Sequence, residues 1–168
     1  MEILIIIGAI ILYFVFKNIN KGSSHKSYQT RNNADSTDYD KPPTIDHQAA
    51  DPVISMIGQN IMMAGGLDNL PQKAKDEYSL GYIAGMLDAS LTGLGVDSFD
   101  TSMATLSFTL QKLFGEEGKE LFMKSYELLK KDNATYKKAL SDGGTEFMRF
   151  MRKQINAPMG WYKYVKGF

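Results

Sequence analysis

The chain has 168 residues, enough for one compact domain and an appendage. Its 19 basic and 19 acidic residues balance, so no global field marks it as a nucleic-acid binder, and none is expected as a partner. Cysteine is absent, which excludes disulfides, thiolate metal sites and cysteine nucleophiles together and leaves the compartment open.

Ile3 to Phe16 reads ILIIIGAIILYFVF, with no charge and no proline. A helix from Met1 through Lys17 would run roughly 25 Å, a short span for a hydrocarbon core of about 30 Å. The segment lacks the polar face of a soluble amphipathic helix. A cleavable signal peptide would carry lysine or arginine before the apolar run and a small-x-small site after it. Here Glu2 precedes the run and FKNINKGSSHKS follows it. Residues 1–17 therefore read as a single-pass signal-anchor, a transmembrane helix that places the bilayer among the chain's partners. The membrane-proximal bases Lys17, Lys21, Lys26 and Arg31 follow it, and no acidic residue intervenes before Asp35. The positive-inside rule then puts the N-terminus outside and the rest of the chain in the cytoplasm. The same bases suit anionic headgroups, or serve only as topology signals.

Residues 18–50 are dominated by Ser, Asn, Asp, Thr, Lys and Gln and show no apolar period. Such a stretch buries too little apolar surface to offset the entropy of ordering it, so it reads as a disordered linker. Its r.m.s. reach is on the order of 30 Å. Both histidines, His25 and His47, fall here and are expected to be solvated.

From Asp51 to the C-terminus the pattern predicts a small irregular all-α bundle. Asp51-Pro52 is expected to cap a helix carrying Val53, Ile54, Ile57 and Ile61, closed by Gly65-Gly66. Pro71 opens a second helix, from about Gln72 to Gly93. Asp97 or Asp100 caps a third, with Met103, Leu106, Leu110, Leu113 and Phe114 on its apolar face and Gly115 at its end. A fourth runs from Glu116 to Lys131, with Leu121, Phe122, Tyr126, Leu128 and Leu129 inward. A fifth begins at Ala134, breaks at Gly143-Gly144 and resumes over Thr145 to Ile155. Short connections predict antiparallel neighbours. No segment shows the alternating β-branched signature of a strand.

Three features are candidates for function. Gly81, Gly85 and Ala89 fall four apart on the most apolar helix and lay a smooth strip along one side. That strip suits close packing inside the domain or docking of another protein. Asp88 is the one charge in that stretch: it would pair with Arg149 or Arg152, sit as a partly solvated rim residue, or serve as an acid or base. The C-terminal segment interleaves Trp161, Tyr162, Tyr164 and Phe168 with Lys163 and Lys166, which suits either completion of the core or contact with a partner or lipid. The domain holds no cysteine, and no histidine beyond residue 47, so most common catalytic constellations cannot be assembled. No cofactor or metal is implied. The stretch GYIAGMLDA is too generic to assign a family. The expected role is a non-enzymatic, membrane-anchored interaction protein, an adaptor, assembly factor or regulator with a membrane-associated protein partner. The alternatives are a membrane-tethered enzyme or effector using Asp88 with Asp76 or Glu77 and Arg149, or a module that binds anionic lipid.

Overall fold

The computed structural model describes residues 43–168, which belong to one compact unit, Lys41–Phe168. The expected anchor over 1–17, its flank Lys17, Lys21, Lys26 and Arg31, and most of the expected linker lie outside the described residues. Among the described residues the fold is all-helical, with no strand, and no helix is long and apolar enough to cross a membrane. Five long helices, α1 (His47–Ala64), α2 (Glu77–Gly93), α3 (Phe99–Phe114), α4 (Gly118–Lys130) and α5 (Ala134–Met151), are followed by the short α6 (Gly160–Lys166). Single 3₁₀ turns over Leu67–Asn69, Gln72–Lys75 and Gly115–Glu117 join them.

The first helix starts earlier than its proline suggests. Asp46, not Asp51, is the N-cap: its carboxylate accepts from the Ala49 amide at 3.0 Å, and its own N–H donates to Thr105 Oγ1 of α3 at 3.0 Å. Ala49 and Ala50 are fully buried, so the added turn is held by both a cap and packing. Pro52 then sits inside the helix, where it forgoes the bond its missing N–H would make to Gln48. Residues 46–50, expected to belong to the linker, are thus part of the helical unit. His47 opens the helix, its ring edge-on to Phe108 with centroids 4.8 Å apart.

Caps fix the other starts. Asp76 accepts from Ser79 N before α2, and Asn133 from Tyr136 N before α5. Before α3 the cap is Ser98, whose hydroxyl accepts from Thr101 N, instead of Asp97 or Asp100. On α4, Leu121 and Leu128 are buried as the period predicts, whereas Leu129 lies on the solvent side.

The largest departure from the sequence pattern is in α5. Gly143-Gly144 does not break it; the helix runs unbroken from Ala134 to Met151. The pair is needed by the neighbour. α2 lies against α5 more extensively than any other two helices pack, and glycine lines both sides of the contact. A methyl group at Gly85 would lie 2.6 Å from the Leu140 carbonyl carbon, and closer to its oxygen. At Gly143 it would lie 2.9 Å from the Tyr82 carbonyl carbon, again with the oxygen nearer. Backbone therefore meets backbone, with no side-chain layer between. Each glycine costs about 1 kcal/mol relative to alanine in a helix interior, and the close contact offsets it.

The contacts also fix direction. Gly81 faces Tyr136 and Ala139, Gly85 faces Leu140, and Ala89 lies near Gly144, so the two helices ascend together. They are parallel, and α3 and α4 form the return connection between them. The most intimate pair is thus not the antiparallel neighbour that short loops predict. α2 is the central helix, touching every other one, and Leu80, Tyr82, Ile83, Met86 and Leu87 are almost wholly inaccessible.

Gly85→Ala forces backbone apart and is expected to destabilise the protein by about 3 kcal/mol, at the upper end for overpacking. Gly58→Ala, on α1 with nothing within 4 Å of the added methyl, is expected to stabilise it by about 0.5–1 kcal/mol. Urea unfolding of the two variants beside the parent protein measures both signs.

Candidate functional site: the seat of the C-terminal helix

Once α2 and α5 are parallel and in close register, their side chains pair at a constant offset. Tyr78 Oη donates to Asp142 Oδ2 at 2.8 Å, and one turn on Tyr82 Oη donates to Glu146 Oε2 at 2.5 Å. The separation along the chain is 64 residues in both pairs. Two phenols on α2 thereby meet two carboxylates on α5 as successive rungs.

The second rung holds the C-terminal helix. Glu146 Oε1 accepts from the Met159 amide at 2.7 Å and from the Gly160 amide at 3.0 Å, the two N–H groups that open α6. Gly160 has no room for a side chain, because a Cβ there would sit 3.0 Å from the Tyr82 hydroxyl and against Glu146. From α1, the buried Asn60 Nδ2 donates to Pro158 O at 3.1 Å. A third phenol closes the far side: Tyr164 Oη donates to Asp76 Oδ2 at 2.6 Å, and its ring stacks on Tyr78 with centroids 4.1 Å apart. Lys73 lies 4.2 Å over the outer face of the Tyr164 ring. Asp76 thus caps α2 and receives α6 at the same time. Burial raises the Tyr78 and Tyr82 phenols well above their ordinary range, with the carboxylate each one meets adding to it. Tyr164 is pushed up to about 12 by desolvation and its bond to Asp76.

Trp161 is fully buried and Val165 nearly so, while Tyr162 is half-buried and Phe168 is 85 % exposed. The C-terminal aromatics therefore divide. Trp161 completes the core and offers nothing to a partner; its indole N–H has no acceptor among the described residues. Tyr164 is turned inward. Only Tyr162 and Phe168 remain at the surface, their rings 6.2 Å apart.

The other expected features are rearranged. The Gly81, Gly85 and Ala89 strip is filled by α5 of the same chain, so it is not an open docking face. Asp88 is solvent-exposed and not the buried partner of Arg149 or Arg152, both of which are exposed and without an ion pair among the described residues. Crowding by the surrounding helices still raises the Asp88 carboxyl. The side chain nonetheless remains open to water. Asp76 and Glu77 lie at the other end of α2, roughly 17 Å away along the axis, so they do not join Asp88. Among the described residues no three potential metal-ligating side chains cluster. Glu146, the carboxylate with the richest set of partners, was not marked by the sequence pattern, because it falls on a polar helix turn like any solvated glutamate. No family model, no curated protein and no solved structure matches this chain.

The tyrosine seat predicts an alkaline transition. Unfolded phenols ionise near 10.0, whereas Tyr164 in the fold holds its proton to about 12. A raised folded-state value contributes stability that is complete below the unfolded value and lost as pH climbs through the folded one. Stability should fall between pH 10 and 12. The Tyr78→Phe/Tyr164→Phe double variant should be less stable at neutral pH and lose less over that interval, measured by urea midpoints across the pH series.

Proposed function

We propose that this chain is a membrane-anchored interaction protein, in which residues 1–17 enter the bilayer and the helical unit is presented to a membrane-associated protein partner. The observation that carries this reading is the uncharged run Ile3–Phe16 joined to a separate compact unit with its own core. The positive flank Lys17, Lys21, Lys26 and Arg31 supports a cytoplasmic position for that unit.

A non-enzymatic role is supported by how the polar side chains are used. Tyr78, Tyr82, Tyr164, Asp76, Asp142 and Glu146 are committed to one another and to the amides that open α2 and α6, so they act as fasteners. The solvent-facing surface carries charges of both signs and scattered large apolar side chains. Leu94 and Phe99 protrude at the connection between α2 and α3, and Phe168 protrudes at the C-terminal end. These are among the exposed apolar groups available to a protein partner.

The test combines fractionation with crosslinking in cells. The full chain is expected to remain with membranes after alkaline carbonate extraction, and the chain lacking residues 1–17 to become soluble. A photoreactive residue at Phe99 or at Phe168 is expected to give a discrete protein adduct in the anchored chain. Extraction of the full chain by carbonate would remove the anchor, and absence of any adduct at both positions would remove the protein partner.

A further inference from the structure

Beyond its first turn, α1 is a surface helix without charge. Its buried side is Val53, Ile57, Asn60, Ile61 and Ala64, and the opposite side holds Ser55, Gln59 and Met62 in the open. From Pro52 to Leu67 the chain has no acidic or basic residue. Other outward helix faces differ: α4 exposes Lys119, Glu120, Lys124 and Glu127, and α5 exposes Lys137, Lys138 and Arg149. A helix keeps charged residues on the side that meets only water. Their depletion marks the centre of an interface.

Residues 55, 58, 59 and 62 have the i, i+3, i+4, i+7 spacing of one continuous helix side. Gly58 lies in the middle of it, and a Cβ added there meets nothing within 4 Å. Gly85 and Gly143 are explained by backbone of the same chain; Gly58 is opposed by none. Glycine weakens a helix interior, and here no contact among the described residues offsets that cost. The open position admits the close approach of another backbone.

A second copy of the same side fits. Across a two-fold axis each group near the centre meets its own twin, so a charge there would face its like, and this side of α1 has none. A hydrogen-bonding group can pair with its twin only if it both donates and accepts, as serine and glutamine side chains do. Ser55 and Gln59 make no side-chain hydrogen bond among the described residues, so both remain available. Asp51 sets the direction. It is exposed one turn before Ser55, and an antiparallel crossing at Gly58 carries it away from its twin.

We propose that α1 of two copies cross antiparallel at Gly58, with Ser55 beside Met62 of the second copy, to form a symmetric dimer of the helical unit. One helix side is smaller than the roughly 800 Å² per partner of a stable interface. The pairing therefore needs copies held close together, and for that confinement it rests on the membrane-anchor reading.

The absence of cysteine makes single introduced thiols informative. The full chain is reconstituted into phosphatidylcholine vesicles and treated with a short bis-maleimide. Gln59→Cys, beside the crossing, is expected to couple to itself, and Lys119→Cys, exposed on α4, is not. Adding Gly58→Leu to Gln59→Cys is expected to abolish the coupling, because the new side chain fills the space of the approaching helix and meets nothing in its own fold. Unchanged emission from buried Trp161, the one tryptophan of the chain, reports that the variants are folded. Differently tagged Ser55→Cys and Met62→Cys chains, mixed in one vesicle, are expected to couple to each other in preference to themselves. The proposal is overturned by no coupling at Gln59→Cys, by equal coupling at Lys119→Cys, or by coupling that survives Gly58→Leu. Self-coupling of Ser55→Cys in preference to the mixed pair overturns it as well. Flotation of the same vesicles reports the anchor separately. A chain that floats without coupling keeps the anchor and loses the dimer; one that couples without floating keeps the dimer and loses the anchor.

Discussion

The absence of a side-chain layer between α2 and α5 is the constraint on which the rest of this domain depends. Gly81 and Gly85 on one helix and Gly143 on the other let carbonyl groups occupy the space where a Cβ would stand. Dispersion contacts made at that distance involve backbone atoms that lose no rotamer freedom on packing, which favours the contact over an ordinary leucine seam. The same closeness sets a register, because backbone ridges slide less freely than flexible side chains. Once α5 is set in register beside α2, the phenols of Tyr78 and Tyr82 reach Asp142 and Glu146 one turn apart, and the ladder follows from the geometry.

The ladder in turn determines where the chain ends. Glu146 bridges Tyr82 to the amides of Met159 and Gly160, so the start of α6 depends on the rung beneath it. Asp76 has two roles, capping α2 through Ser79 N and receiving the Tyr164 hydroxyl. Burial of Trp161 then adds apolar area to a network that is already directional, and the two kinds of interaction support each other. A consequence for the surface is that the acidic groups of this region are turned toward phenols and amides. The bases of the C-terminal segment are left to solvent.

Much of this fold was legible in the sequence, and the places where it was not share one physical cause. Helical periodicity marked all five long helices and most of their buried faces, and the glycine spacing on α2 indicated close approach. Asp51-Pro52 misplaced the first boundary because local propensity took no account of a cap bonded to a residue of α3, Thr105. Gly143-Gly144 reads as a break for the same reason: isolated glycines weaken a helix, and only the neighbour they admit explains keeping them. The sequence leaves the Trp161 side chain between core and partner, and the backbone just before it is held by Asn60 of α1 and Glu146 of α5, which no local pattern reveals. The apolar neighbours of Asp88 leave a buried ion pair and a solvated rim position both open, and it takes the second, at the edge of α2 where the helix meets solvent. Glu146 could not be singled out from one sequence, since its partners come from two other segments.

Native-state hydrogen exchange tests the central claim most directly. If α2 and α5 form one backbone-to-backbone unit, amides from Leu80 to Leu91 and from Tyr136 to Phe147 should exchange last and together, with a common opening free energy. Those of α6 should open earlier, as a group seated upon that unit. Exchange of the α5 amides well before those of α2, or protection of α6 persisting after α5 has opened, would contradict the account.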